Sequence, residues 1–128
     1  MTAFLPFEAE AIRLQVGNEL SSEVLDSVLA VDDAAYDYTG WGYFLRVKHP
    51  GLPAERSIPG PAVVGVGDGV LAGFVVFLQN NELTLECHGY GDVAVPPDFR
   101  ERDVKVSVAG TGIPLPLNDS FPAANSAT

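Results

Sequence analysis

Three polar side chains of one predicted strand, Glu86, His88 and Tyr90, are the residues of this sequence best suited to acid and base chemistry. Their alternate spacing places them on one face of a β-strand about 7 Å apart, which lets a carboxylate and an imidazole share a ligand or a water. A strand that faces solvent has the same spacing. The three residues are therefore catalytic candidates, with plain solvent exposure as the competing interpretation.

A second candidate group is aromatic and consists of Trp41, Tyr43 and Phe77. Clustered aromatic side chains beside Gly40 and Gly42 are typical of a ligand-binding cleft, since glycine lets a ligand or a backbone approach closely. Phe77 makes the polar face of its strand less polar than a purely solvated one. The competing interpretation places Trp41 and Tyr43 in the core and assigns the glycines to sheet curvature.

Other kinds of site find little support in the sequence. The two histidines, His49 and His88, lie in different segments without a recognised ligand spacing, so we expect no metal site. The glycines of residues 65–69 lack the lysine of a phosphate-binding loop and are typical of a turn, and we expect no cofactor. Residues 100–103 alternate in charge and indicate a solvated turn. These absences favour a non-enzymatic protein and leave catalysis open.

Residues 70–90 are predicted to form a hairpin around Asn80 and Asn81, because asparagine tolerates the positive φ angles of a two-residue turn. This register gives the ribbon one wholly apolar face, to which Cys87 contributes a buried thiol. The other face carries Glu86 and His88. The facing apolar pairs are Leu78 with Leu83, Val76 with Leu85, and Phe74 with Cys87.

One amphipathic helix is predicted over residues 18–29, with Ser21 or Ser22 as its cap. Residues 7–16 are ambiguous, and the alternation of Ile12, Leu14 and Val16 favours a strand at the end of that segment. Half-exposed strands are predicted over residues 41–48 and 104–108, and a short strand over residues 62–66. A proline-containing loop joins residues 48 and 62.

These elements predict an α+β fold, with a curved, mainly antiparallel sheet of about five to seven strands and one N-terminal helix on its apolar face. We expect a single compact domain over residues 1–109. Residues 110–128, rich in Gly, Pro, Ser, Asn and Ala, are expected to form a mobile or extended tail.

Composition narrows the possible partners of the chain. It has 128 residues, 17 Asp and Glu against 7 Lys and Arg, and a net charge of -10. A surface this acidic disfavours nucleic acid and anionic membranes and favours a basic protein partner. There are no internal repeats and no charge runs. We expect neither a signal peptide nor a membrane anchor, and we expect a cytoplasmic protein.

Three segments together resemble a known group. They are the sequence from Tyr38 to Phe44 (YTGWGYF), that from Ala72 to Phe77 (AGFVVF), and that from Leu83 to Gly91 (LTLECHGYG). The combination resembles a loosely defined group of short, uncharacterised bacterial proteins with a Tyr-Thr-Gly-x-Gly-aromatic strand and a later Leu-Glu-x-x-x-Tyr hairpin strand. The resemblance implies a compact α+β protein of bacterial or phage type and brings no activity with it.

Three functions fit the sequence. The leading hypothesis is a small acidic binding or protein-interaction module, of which an immunity-type protein that neutralises a basic partner is one form. The second is a small enzyme or ligand-binding domain that uses Glu86, His88 and Tyr90. The third is an accessory domain that forms homo-oligomers through an uncovered strand edge or through the face that carries Val75 and Phe77.

Overall fold

The structure is a computed structural model that describes residues 2–91 and 93–109, and it shows two helices on one face of an antiparallel sheet. The sheet is six-stranded and open, in the order β1-β2-β5-β4-β3-β6. The predicted α+β fold is therefore confirmed. The predicted tail, residues 110–128, lies outside the described residues. In chain order the elements are α1 (Pro6–Val16), α2 (Ser22–Leu29), β1 (Ala35–Tyr38), β2 (Gly42–Lys48), β3 (Val63–Gly67), β4 (Val70–Gln79), β5 (Glu82–Gly89), a 3-10 turn (Phe99–Glu101) and β6 (Lys105–Val108).

The β4–β5 hairpin forms in the predicted register. Asn80 and Asn81 adopt φ angles of 56° and 59°, which suit a two-residue turn that follows the right-handed twist of the strands. Gln79 pairs with Glu82, and the apolar pairs follow up the ribbon as expected. All six side chains of the apolar face are at most 1% exposed, so this face forms the centre of the core.

Helix α1 corrects the strand expected at the end of residues 7–16. Pro6 occupies the first turn, where its missing N–H costs nothing, and Phe7, Ala11, Ile12 and Val16 recur at helical spacing. All four are buried against the sheet. The three-residue alternation around Leu14 is too short to outweigh this longer period, and Leu14 itself is only half-buried.

Helix α2 begins later than the pattern of residues 18–29 predicts. The Ser21 hydroxyl accepts a hydrogen bond from the Val24 N–H at 3.2 Å, which caps the helix at that point. Leu25, Val28 and Leu29 are buried in the same core cluster as α1. Both helices therefore pack on the apolar face of the sheet.

The other face of the sheet carries half-buried side chains that no described helix covers. Phe44, Val75, Phe77 and Glu86 lie there because they alternate with the buried residues of β2, β4 and β5. The Arg46 guanidinium stacks 5.0 Å from the centre of the Phe44 ring. This open face offers both apolar and charged groups to solvent.

Cys87 is fully buried on the core face, as predicted. Burial raises the pKa of its thiol to about 12 from an ordinary value near 9. Because the folded state favours the neutral thiol, this contribution to stability is present below pH 9 and is lost as the pH rises toward 12.

We therefore predict that a thiol-specific reagent at pH 8 labels Cys87 in the folded protein at least about a hundredfold more slowly than in urea, because labelling requires opening of the core. A Ser27→Cys variant provides the control, since Ser27 is exposed on α2. Its new thiol should react at once while Cys87 reacts slowly. Equal rates for the two thiols would contradict the burial of Cys87.

Candidate functional site

His88 and Tyr90 come together beside a pocket at the edge of β4, and Glu86 does not join them. The His88 and Tyr90 rings lie 5.5 Å apart between centres. Glu86 faces Phe44 on β2 and Val75 on β4, outside the pocket. The spacing of the three residues predicts their shared face correctly, but only two of them share a site.

The pocket, called here the Gly73 pocket, has a volume of about 250 Å³. It forms because β3 begins only opposite Phe74. The preceding loop bridges to β4 at Leu78, where Ser57 exchanges two backbone hydrogen bonds of 2.8 Å, and leaves a gap between Leu78 and Phe74. Apolar and proline side chains make up most of its wall. The lining residues are Gln15, Ile58, Pro59, Gly60, Pro61, Ala62, Val63, Gly73, Phe74, Val75, His88 and Tyr90.

Two polar atoms of the pocket converge above Gly73. A Cβ added at Gly73 would lie 2.6 Å from Nε2 of His88 and 2.9 Å from the Tyr90 hydroxyl. A side chain at this position would require the His88 and Tyr90 rings to shift. The missing side chain therefore leaves an imidazole nitrogen and a phenolic hydroxyl facing the same small volume.

The hydrogen-bonding roles of these two groups follow from their surroundings. Nδ1 of His88 lies 3.2 Å from the Gly89 carbonyl oxygen, which can only accept, so this contact assigns the proton of a neutral ring to Nδ1. Nε2 is then an acceptor. Burial raises the pKa of Tyr90, which keeps its hydroxyl protonated and able to donate.

Gln15 closes the gap that β3 leaves along β4. Its amide nitrogen donates to the Phe74 carbonyl at 2.8 Å, and its amide oxygen accepts from the Val76 N–H at 2.9 Å. The side chain thus replaces a peptide group of the absent strand. Sequence reasoning missed Gln15, although a glutamine on the apolar face of α1 was a usable signal.

The three aromatic candidates do not form a cleft. Tyr43 faces the core, Phe77 lies on the open face, and Trp41 precedes β2 with 62% of its surface exposed. The interpretation that places Trp41 in the core is therefore wrong. The Thr39 hydroxyl accepts from the N–H groups of Trp41 and Gly42, and this turn holds Trp41 at the surface.

A buried ion pair, absent from the sequence predictions, joins Glu8 of α1 to Arg100. The two carboxylate oxygens of Glu8 accept from Nε and Nη2 of Arg100 at 2.7 and 2.8 Å. Glu8 also accepts from the Tyr43 hydroxyl at 2.6 Å and from the Leu5 N–H at 2.8 Å. The solvated turn expected over residues 100–103 is therefore wrong at Arg100.

This ion pair fixes the protonation of its neighbours. Burial and the adjacent Glu8 carboxylate raise the pKa of Tyr43, so its hydroxyl stays protonated and donates to Glu8. The hydrogen bonds to Glu8 raise the pKa of Arg100. Since every oxygen of Glu8 is already engaged, the cluster holds α1, β2 and the 3-10 turn together and leaves no group free for acid or base work.

Six acidic side chains of one segment are grouped here as the acidic surface: five lie in or next to α2, and the sixth, Asp37, lies on β1 on the open face of the sheet. Residues 14–45 contain no Lys or Arg, and all six of their carboxylates are exposed. Within the described ranges 2–91 and 93–109, none of the six takes part in an ion pair. These six residues do not form a run of consecutive charges in the sequence. The signal that could have identified them is the long interval without a Lys or Arg residue. The members of the acidic surface are Glu19, Glu23, Asp26, Asp32, Asp33 and Asp37.

Comparison with known proteins adds no relative: no family model, no curated protein and no solved structure matches this chain. Over the described part of the chain, no group of three or more His, Cys, Asp and Glu side chains is placed to hold a metal ion. Neither described helix is long and apolar enough to cross a membrane.

Proposed function

We propose that this chain is a non-enzymatic interaction module that binds a basic protein partner in the cytoplasm through its acidic surface. The observation that carries the proposal is the set of six exposed carboxylates that lack cationic partners among the described residues. Neutralisation of a basic toxin by an immunity-type protein is one concrete form of this function.

The position of two of these carboxylates works against the stability of the free protein. Asp32 and Asp33 follow the C-terminal end of α2, where the helix dipole carries partial negative charge, and the last turn of α2 has no basic residue. Like charges this close also repel one another. A basic partner relieves both costs, which supports a binding role for side chains that oppose local stability.

The acidic surface ends on an edge strand with an exposed aromatic ring. Asp37 and Tyr36 are neighbours on β1, the outermost strand of the sheet, so their side chains point to opposite faces. Tyr36 is 45% exposed and lies on the face that carries the helices, 5.6 Å from the Tyr43 ring. Tyrosine is enriched in protein interfaces because it offers a large contact area and a hydroxyl together. Charge attracts a partner over a distance of about 8 to 10 Å at physiological salt, and the ring supplies contact once the partner arrives.

We predict that neutralising three carboxylates of the acidic surface abolishes capture of one basic protein from an extract of the native cells. The test variant combines Glu23→Gln, Asp32→Asn and Asp33→Asn. With the captured protein purified, calorimetry should show an affinity at least about tenfold weaker than for the wild type. Raising the salt concentration should weaken the wild-type complex.

A control variant with the same change in net charge combines Glu10→Gln, Glu55→Gln and Glu101→Gln, which lie outside the acidic surface and are exposed. It should capture the same basic protein as the wild type. The proposal fails if both variants lose the partner equally, since that result reports net charge alone. It also fails if the wild type retains no basic protein at low salt.

A further inference from the structure

A second binding site, independent of the acidic surface, lies in the Gly73 pocket. We propose that this pocket binds a small, neutral aromatic molecule that carries a hydroxyl group, with the hydroxyl directed at His88 and Tyr90. The inference rests on the size of the pocket, the absence of charge in its wall and the convergence of two complementary polar atoms.

The volume of the pocket suits a ligand of one or two rings. Pockets for drug-sized molecules measure about 300 to 1,000 Å³, and this one, at about 250 Å³, lies just below that range. Phenolic compounds of a single ring are of a suitable size.

The wall of the pocket selects for a neutral, flat molecule. None of its twelve lining residues is Asp, Glu, Lys or Arg, so a charged ligand would lose hydration without gaining an ionic partner. Pro59, Pro61, Val63 and Val75 offer apolar surface, which favours the face of an aromatic ring.

The two polar atoms select for a hydroxyl group. Nε2 of His88 accepts and the Tyr90 hydroxyl donates, and both lie above the Cα of Gly73, 2.6 and 2.9 Å from the position that a Cβ would take. A ligand hydroxyl donates one hydrogen bond and accepts another, so a single oxygen beside this position satisfies both. An ether oxygen can accept from Tyr90 but cannot donate to His88.

Phenol and its methyl ether, anisole, test the proposal as a matched pair. Each is titrated to millimolar concentration into the full chain labelled with ¹⁵N, and the amide and imidazole resonances are followed. We expect phenol to shift His88, Tyr90 and residues 73–75, and anisole to bind about fivefold more weakly because one hydrogen bond is lost. No shift, shifts spread over the whole chain, or equal affinities would overturn the proposal.

Two tyrosine variants separate the hydroxyl from the rest of the site. Tyr90→Phe keeps the ring and removes the donor, so phenol should bind about fivefold more weakly. Tyr36→Phe removes the hydroxyl of a tyrosine that is exposed to a similar degree and lies outside the pocket, and phenol affinity should not change. Unchanged affinity in Tyr90→Phe would exclude the assigned hydrogen bond and with it the proposal.

Discussion

Replacing Arg100 with methionine should destabilise the protein by about 3 kcal/mol, because the substitution leaves the Glu8 carboxylate buried without its cation. Glu8 is fully buried, whereas the Arg100 side chain is 25% exposed. The energetic cost of the substitution therefore comes mainly from the buried Glu8 carboxylate. Its remaining hydrogen bonds come from the neutral hydroxyl of Tyr43 and the N–H of Leu5. Urea denaturation monitored by fluorescence measures the change in the free energy of unfolding.

Arg102 provides the matched control two residues away. It pairs with the exposed carboxylates of Asp98 at 3.1 Å and Asp68 at 3.8 Å, and exposed pairs contribute little. Arg102→Met should therefore cost less than about 1 kcal/mol. Similar losses in the free energy of unfolding for the two variants would show that Arg100, like Arg102, contributes only as an exposed charge.

The double variant Glu8→Gln with Arg100→Met distinguishes a lost attraction from a stranded charge. If the cost of Arg100→Met comes from an uncompensated buried carboxylate, the double variant should be more stable than that single variant. A double variant that is less stable than Arg100→Met would assign the effect to packing and to the Ala3 carbonyl that Arg100 also contacts.

The sequence predicts the β4–β5 hairpin well because everything that determines it is local. The Asn80 and Asn81 turn fixes which residues face each other, and the two-residue alternation then separates the apolar and polar faces. Cys87 is placed in the core, and His88 beside Tyr90, by the same argument.

The contacts made by α1 escape sequence analysis because they join distant parts of the chain. Glu8 and Arg100 are 92 positions apart, and each has an ordinary surface role when its own segment is considered alone. A charged residue on the buried stripe of a helix signals a partner, but the identity of that partner depends on the tertiary fold.

The Gly73 pocket shows the same limit in the candidate site. His88 and Tyr90 follow from strand alternation, but the opposite wall comes from the loop before β3, about which local patterns carry no information. The site therefore differs from the predicted one because Glu86 lies outside it and apolar residues line it instead. This composition favours ligand binding over acid and base catalysis.

Replacing Gln15 with methionine should destabilise the protein by about 2 to 4 kcal/mol, the second large effect that we expect. Methionine fills similar space on α1 but offers no partner to the buried Val76 N–H, and Phe74 loses a donor to its carbonyl. A buried backbone group without a partner costs about 1 to 3 kcal/mol. Hydrogen exchange should show the Val76 amide losing protection more than the amides of Leu83 and Leu85 in the neighbouring strand.

Glu10→Met is the matched control, since it introduces the same side chain at an exposed position of α1. It should change the free energy of unfolding by less than about 0.5 kcal/mol. If Gln15→Met cost no more than Glu10→Met, or if the Val76 amide kept its protection, the Gln15 amide would not be what completes the edge of β4. A loss confined to Val76 and its neighbours would instead show that one helical side chain substitutes for a missing strand and supports the wall of the Gly73 pocket.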